Sequence, residues 1–159
     1  MKNYAICSPE NPNWCVPASL QTILIARKIE INQNKIAESF TKFNSGGFNF
    51  NLESLKDFLG EINSPLKCHF HNPHKDETFY RDCNLFLRDV SGDVLAAYDA
   101  KFHQQEKNGK MGNNHLSVLL DYNFSSGLIK LVEAMVSLPI LVKHMNPNFN
   151  RNYGFYIIE

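Results

Sequence analysis

The sequence has no surplus of charge of either sign: sixteen basic residues balance sixteen acidic ones. That balance removes the electrostatic argument for a nucleic-acid surface or a polybasic membrane patch. No apolar run approaches the roughly 18 residues of a membrane span. The opening Met1-Lys-Asn-Tyr-Ala-Ile-Cys-Ser-Pro9 lacks the apolar stretch of a signal peptide. A cytoplasmic protein is the expectation, with export by a signal-less route as the alternative. There is no internal repeat, no low-complexity segment and no Gly-rich phosphate loop; Ser45-Gly46-Gly47 follows a helical pattern and does not open one. Cysteine is sparse. Cys7, Cys15, Cys68 and Cys83 read as free thiols in a reducing compartment, not as a disulfide framework.

What is present is a globular composition, 43% hydrophobic and 20% charged, in 159 residues. That length suits a single domain, 1–159, with one real core. The first half reads as helices. Apolar spacing at Leu20, Ile23 and Leu24 predicts a helix over 16–28, and Ile36, Phe40 and Phe43 predict a second over 33–43. A third follows Asn51 as N-cap, with Leu52, Leu55, Phe58 and Leu59 inward and Gly60 as its stop. A brief edge strand is expected at 4–6. The second half alternates like strands at 66–71, 93–98, 115–122, 128–134 and 153–158. Helices are expected at 76–90 and 137–145, and a long polar loop over 101–114 that gates a site. Helices first and strands afterwards predict an α+β domain with an antiparallel sheet.

The chemistry centres on Asn11-Pro-Asn-Trp-Cys-Val-Pro-Ala-Ser-Leu20. Turn residues precede Cys15, and Pro17 suits the first turn of a helix. Cys15 therefore belongs at a helix N-terminus, where free N–H groups and the dipole favour a thiolate and depress its pKa. The plainer reading is a buried structural cysteine. A cysteine nucleophile needs a base and a group that orients the base. His115 opens an apolar strand beside a polar loop and is the best placed of six histidines; otherwise it is a strand-end histidine with one hydrogen bond. If the following turn centres on residues 124–126, partner numbers across the hairpin sum to about 250. Glu133 then lies opposite Ser117 and diagonal to His115, within reach of the ring. Asp121 is the second choice, and Glu133 is otherwise a solvated or salt-bridged carboxylate. The N–H of Cys15 is one oxyanion donor. Asn11 and Asn13 are the side-chain candidates, or simply turn residues. A local group of Cys68, His69, His71, His74 and Cys83 fits no standard zinc spacing. No metal or organic cofactor is expected.

Trp14-Cys-Val-Pro-Ala-Ser-Leu20 resembles the nucleophile helix of papain-like cysteine peptidases, above all the bacterial peptidases that trim double-glycine leaders from bacteriocins and their stand-alone relatives. Phytochelatin synthases are similar at the same helix. His115-Leu-Ser-Val-Leu-Leu-Asp-Tyr122 looks like the family's histidine strand, Glu133 falls near its acidic member, and Gly154-Phe-Tyr-Ile-Ile158 looks like its closing strand. Val16 stands where the family has glycine, Pro9 where it has the oxyanion glutamine, and Glu133-Ala134 where it has Asp-Pro. The resemblance implies a papain-like fold, the nucleophile at the start of the first helix. It implies a Cys15, His115, Glu133 site that cleaves a peptide or amide bond in a peptide or protein substrate through a thioester. An acyl or peptidyl transferase, or an inactive peptide-binding or adaptor domain of the same fold, is the alternative.

Overall fold

A computed structural model describes residues 3–40, 47–71, 92–99, 114–123, 128–133, 141–145 and 154–159. Three helices precede six strands: α1 (Cys15–Ala26), α2 (Gln33–Glu38), α3 (Leu52–Glu61), β1 (Cys68–His71), β2 (Asp93–Asp99), β3 (Asn114–Asn123), β4 (Leu128–Glu133), β5 (Leu141–Met145) and β6 (Phe155–Ile158). The strands form one antiparallel sheet in the order β1-β6-β2-β3-β4-β5. The domain is thus α+β. Among the described residues no helix is long and apolar enough to cross a membrane.

α1 is apolar nearly all round and buried from Val16 to Leu20 and Thr22 to Leu24. Its two buried polar residues are satisfied locally or by the sheet: the Thr22 hydroxyl donates to the Ala18 carbonyl at 2.9 Å, and the Ser19 hydroxyl to the Leu116 carbonyl at 3.2 Å. Leu20, Ile23 and Leu24 are fully buried, each contributing roughly 1.5–3 kcal/mol of apolar transfer free energy. The helix ends in a Schellman turn. Lys28 takes φ +62, the Lys28 N–H reaches the Ile25 carbonyl at 2.9 Å, and the Ile29 N–H reaches Leu24 at 2.8 Å. α3 begins with a reciprocal Asn51–Ser54 capping box. Its end differs from the sequence expectation. Gly60 stays helical, and Asn63, at φ +51, is the left-handed residue, with the Ser64 N–H returning to Leu59 at 2.9 Å.

The sheet is apolar on both faces. Leu95, Leu116, Val118, Leu120, Tyr156 and Ile158 pack with the helices. Their neighbours in sequence, Val94, Ala96, Tyr98, Leu119, Phe155 and Ile157, turn to the other face and are buried too, as the two-residue period of a strand requires. α1 lies on β3, and α3 on β1.

Two expectations are corrected here. Residues 4–6 form no strand, because this segment directs its polar groups to side chains of the body. The Tyr4 hydroxyl donates to Asp93, and the Cys7 N–H donates to Thr22 Oγ1 at 3.0 Å. The helix expected over 137–145 is, in its described part, strand β5, because Leu141–Met145 completes a five-residue ladder with β4; pairing outweighs local propensity. The helix expected over 76–90 and the loop over 101–113 lie outside the described residues.

Candidate functional site

The chain reaches α1 through a turn in which Asn13 takes φ +64 and the Trp14 N–H donates to the Asn11 carbonyl at 3.3 Å. Asparagine tolerates that left-handed conformation. Trp14 is the N-cap residue, and an indole has no acceptor with which to cap the helix. The helix therefore starts without a side-chain cap. The backbone N–H groups of Leu116 on β3, of Val16 and of Cys15 itself lie toward the Cys15 sulfur. These donors favour the thiolate, yet burial outweighs them and pushes the thiol pKa above its ordinary value. The depressed pKa expected from the helix terminus is therefore not found. The residue keeps some contact with solvent, while its sulfur is packed among protein atoms.

The reach from α1 to Leu116 follows from the strand register. Ala97 lies opposite Leu116, and the Ala97 N–H donates away from β3, to the Gly154 carbonyl at 3.2 Å. Leu116 therefore belongs to a pair that is not hydrogen-bonded across β2–β3, and its own N–H and carbonyl point toward β4. Among the described residues the β3–β4 ladder runs only as far as Leu119–Leu131. α1 meets β3 at Leu116: the Leu116 N–H lies toward the Cys15 sulfur, and the Ser19 hydroxyl takes the Leu116 carbonyl. The start of the helix is thus docked on this stretch of a central strand.

A narrow cleft sits at this junction, with room for about one water molecule. Cys15, Ser19 and Thr22 form one wall and β3 from His115 to Val118 another. Because the cleft opens at the strand's edge, residues of both faces line it. Cys7 and Pro9 close a third side. Their segment is tied down by buried Gln33, whose side chain donates to the Ser8 carbonyl at 2.7 Å and accepts from the Glu10 N–H at 3.0 Å.

His115 shares its face of β3 with Ser117 and pairs across the sheet with Tyr98. The Tyr98 and imidazole rings meet nearly edge to face, with centroids 5.3 Å apart and planes at 72°. Tyr98 is fully buried, and its hydroxyl lies 2.9 Å from Ser117 Oγ.

Cys15 and His115 therefore line one cleft. Glu133 closes β4, its backbone paired with Leu141. The expected sum of 250 holds at Leu119–Leu131; a bulge then shifts the rest of the ladder by one residue, to Asp121–Lys130. Carried on two residues from Leu119–Leu131, the register brings Glu133 level with Ser117, while its side chain lies outside the described residues. Asp121 is six residues along β3 from His115, roughly 20 Å at ~3.3 Å per residue, too far to orient the ring. Asn11 and Asn13 are exposed on the turn and outside the cleft wall. Pro9, which lacks a donor, is buried in that wall. Tyr98 and Ser19 were not anticipated. Ser117 was legible by its two-residue spacing from His115; Tyr98 needed the β2–β3 register, which sequence periodicity does not supply. Cys68 faces the core while His69 is exposed, and His74 and Cys83 lie outside the described residues. Among the described residues no three His, Cys, Asp or Glu side chains are grouped to hold a metal ion.

No protein-family model and no curated protein matches the sequence.

Proposed function

We propose that the chain is a thiol hydrolase of papain-like fold that cleaves a peptide or amide bond of a peptide or protein in the cytoplasm. The observation that carries this reading is the setting of Cys15: at the start of a buried helix, its sulfur among three backbone N–H groups, in one cleft with His115. Burial keeps the thiol protonated at neutral pH. His115 takes the proton as Sγ attacks the carbonyl carbon, and returns it to the departing amine. The oxyanion is held by N–H groups at the start of α1, those of Cys15 and Val16 being the nearest to the sulfur. Water then hydrolyses the thioester, again with His115 as base. Glu133 holds the imidazole. No metal or organic cofactor takes part.

A second reading is favoured by one observation. Pro9 in the cleft wall contributes no donor, and losing a single oxyanion donor costs about 10²–10³ in rate. A peptide-binding domain, or a transferase slow toward water, has that character.

The test is residue-resolved iodoacetamide labelling of the folded protein from about pH 4 to 9 by mass spectrometry. Cys15 is expected to label faster than Cys7 and Cys68 and to slow in His115→Ala, and Cys15→Ala is expected to fold and lose hydrolysis of a peptide library. Cys15 labelling no faster than the other thiols, with His115→Ala without effect, sinks the enzyme reading. A peptide bound tightly by Cys15→Ala and left uncut by the wild type establishes the binding domain.

A further inference from the structure

We infer that Tyr98 is a positioning residue for His115, the tyrosine ring setting the orientation in which the imidazole faces the cleft. This rests on the hydrolase reading above and adds to it a group on a different strand.

A base on a strand has a problem of aim. Its backbone is fixed by the sheet, but its ring turns about two side-chain bonds. Something must select the rotamer that directs a nitrogen at the sulfur. On β3 Leu116, next to His115, belongs to the opposite face by alternation. A contact on its own face comes from across the sheet. Tyr98 is directly opposite in the β2–β3 register, buried, and nearly perpendicular to the imidazole at 5.3 Å. Aromatic pairs prefer this geometry, and it is directional. The tyrosine is itself fixed: its hydroxyl and Ser117 Oγ lie 2.9 Å apart, two residues along β3 from His115. Ring, hydroxyl and strand thus close a loop, from His115 to Tyr98 to Ser117 and back along β3. Such a loop removes rotational freedom from the imidazole before a substrate arrives, and preorganisation of this kind raises rate without adding a contact to the reacting atoms.

The titratable groups around the ring among the described residues are Cys15 and Cys7 across the cleft and Tyr98 beside it. The backbone of Glu133 on β4 comes level with Ser117 when the Leu119–Leu131 register is carried on two residues. Tyr98 and a carboxylate from β4 would hold the ring from different strands.

The experiment compares Cys15 alkylation rates and their pH profiles in the full-length chain. Wild type, His115→Ala, Tyr98→Leu, Tyr98→Phe and Ser117→Ala are measured, each checked for folding by circular dichroism. Tyr98→Leu is expected to slow Cys15 alkylation about three- to tenfold, the factor an edge-to-face pair carries, and to move its onset to higher pH. Tyr98→Phe restores the ring and most of the rate. It should match Ser117→Ala, since the two remove opposite ends of one hydrogen bond. Tyr98→Met, of similar volume, replaces Tyr98→Leu if that chain does not fold. A wild-type profile in Tyr98→Leu or Tyr98→Met, beside a slowed His115→Ala, overturns the role of Tyr98 and leaves the hydrolase reading standing. The role of Tyr98 falls in the same way if Tyr98→Phe slows as much as Tyr98→Leu, or if Tyr98→Phe and Ser117→Ala disagree. An unchanged His115→Ala overturns the hydrolase reading itself, and with it the role of Tyr98.

Discussion

Asp93 is a fully buried carboxylate, and burying it requires partners that repay its lost hydration. Its partners among the described residues include Arg27 Nε, from just past α1, at 2.7 Å, and the hydroxyl of Tyr4. The three residues tie the N-terminal segment, the end of α1 and the start of β2 together at one point. Removing the cation should cost more than removing the phenol. Arg27→Ala removes a charge partner of the buried carboxylate, and the expected loss is about 3 kcal/mol, the low end for a broken buried pair. Tyr4→Phe removes one hydrogen bond and should cost about 1–2 kcal/mol. Urea denaturation of both variants checks the order; equal losses would mean that Arg27 is no more than packing. Arg27 and Asp93 are far apart in sequence, and no periodicity links them. Cys15 was legible because a turn, a proline and a helical stripe are all local signals. Its raised pKa was not, because burial depends on β3, a hundred residues away, closing over the sulfur.

At the scale of elements, local signals gave the right type wherever the chain itself supplied the stop and start. α1 carries its own spacing, α3 its own spacing and N-cap, and the strands at β2, β3 and β6 carry alternation dense enough to read. The failures share a cause. β5 became a strand because β4 lay beside it, and the end of α3 passed Gly60 because Asn63 was able to take the left-handed turn. Both decisions are made by neighbours or by single backbone angles, which a residue pattern does not encode. Gly154 shows how narrow such a decision is. It sits at φ +78 at the entry to β6, and a side-chain carbon there would come 2.5 Å from the Phe70 ring and 2.6 Å from the His71 carbonyl oxygen. Its own carbonyl also receives the Ala97 N–H. Gly154→Ala is expected to destabilise by about 2–4 kcal/mol through strain and clash together, read as a lowered thermal midpoint. A variant within 0.5 kcal/mol of wild type, roughly the spread of a neutral surface change, would show that β1 and β6 can separate freely.

The whole molecule should weaken on the alkaline side. Burial raises the pKa of Cys7, Cys15 and Cys68 above the ordinary 9.0, and of Tyr156 above 10.0. Tyr4 is raised far above 10.0, by burial first and then by Asp93. A group with a raised folded-state pKa contributes its stability in full below the unfolded value. As pH climbs past that value the unfolded chain releases protons that the folded one retains, and stability falls. Stability under reducing conditions should therefore be level up to about pH 8 and decline from about pH 9 upward. Tyr4→Phe should flatten the part of the decline above about pH 10. Thermal midpoints at a series of pH values test this, and parallel declines in wild type and Tyr4→Phe would remove Tyr4 from the account.

The place of β6 has a consequence for how the molecule is made. Among the described strands it comes after the five others in sequence, and it lies second in the sheet, between β1 and β2. Until it emerges, β1 and β2 have no partner on their facing edges, and the sheet waits in two pieces. Such late, long-range pairing makes for slow folding and leaves sticky strand edges open meanwhile. A nascent chain stalled before residue 155 would thus be a client for chaperones, with Cys15 and His115 already made and nothing yet joining the two halves of the sheet.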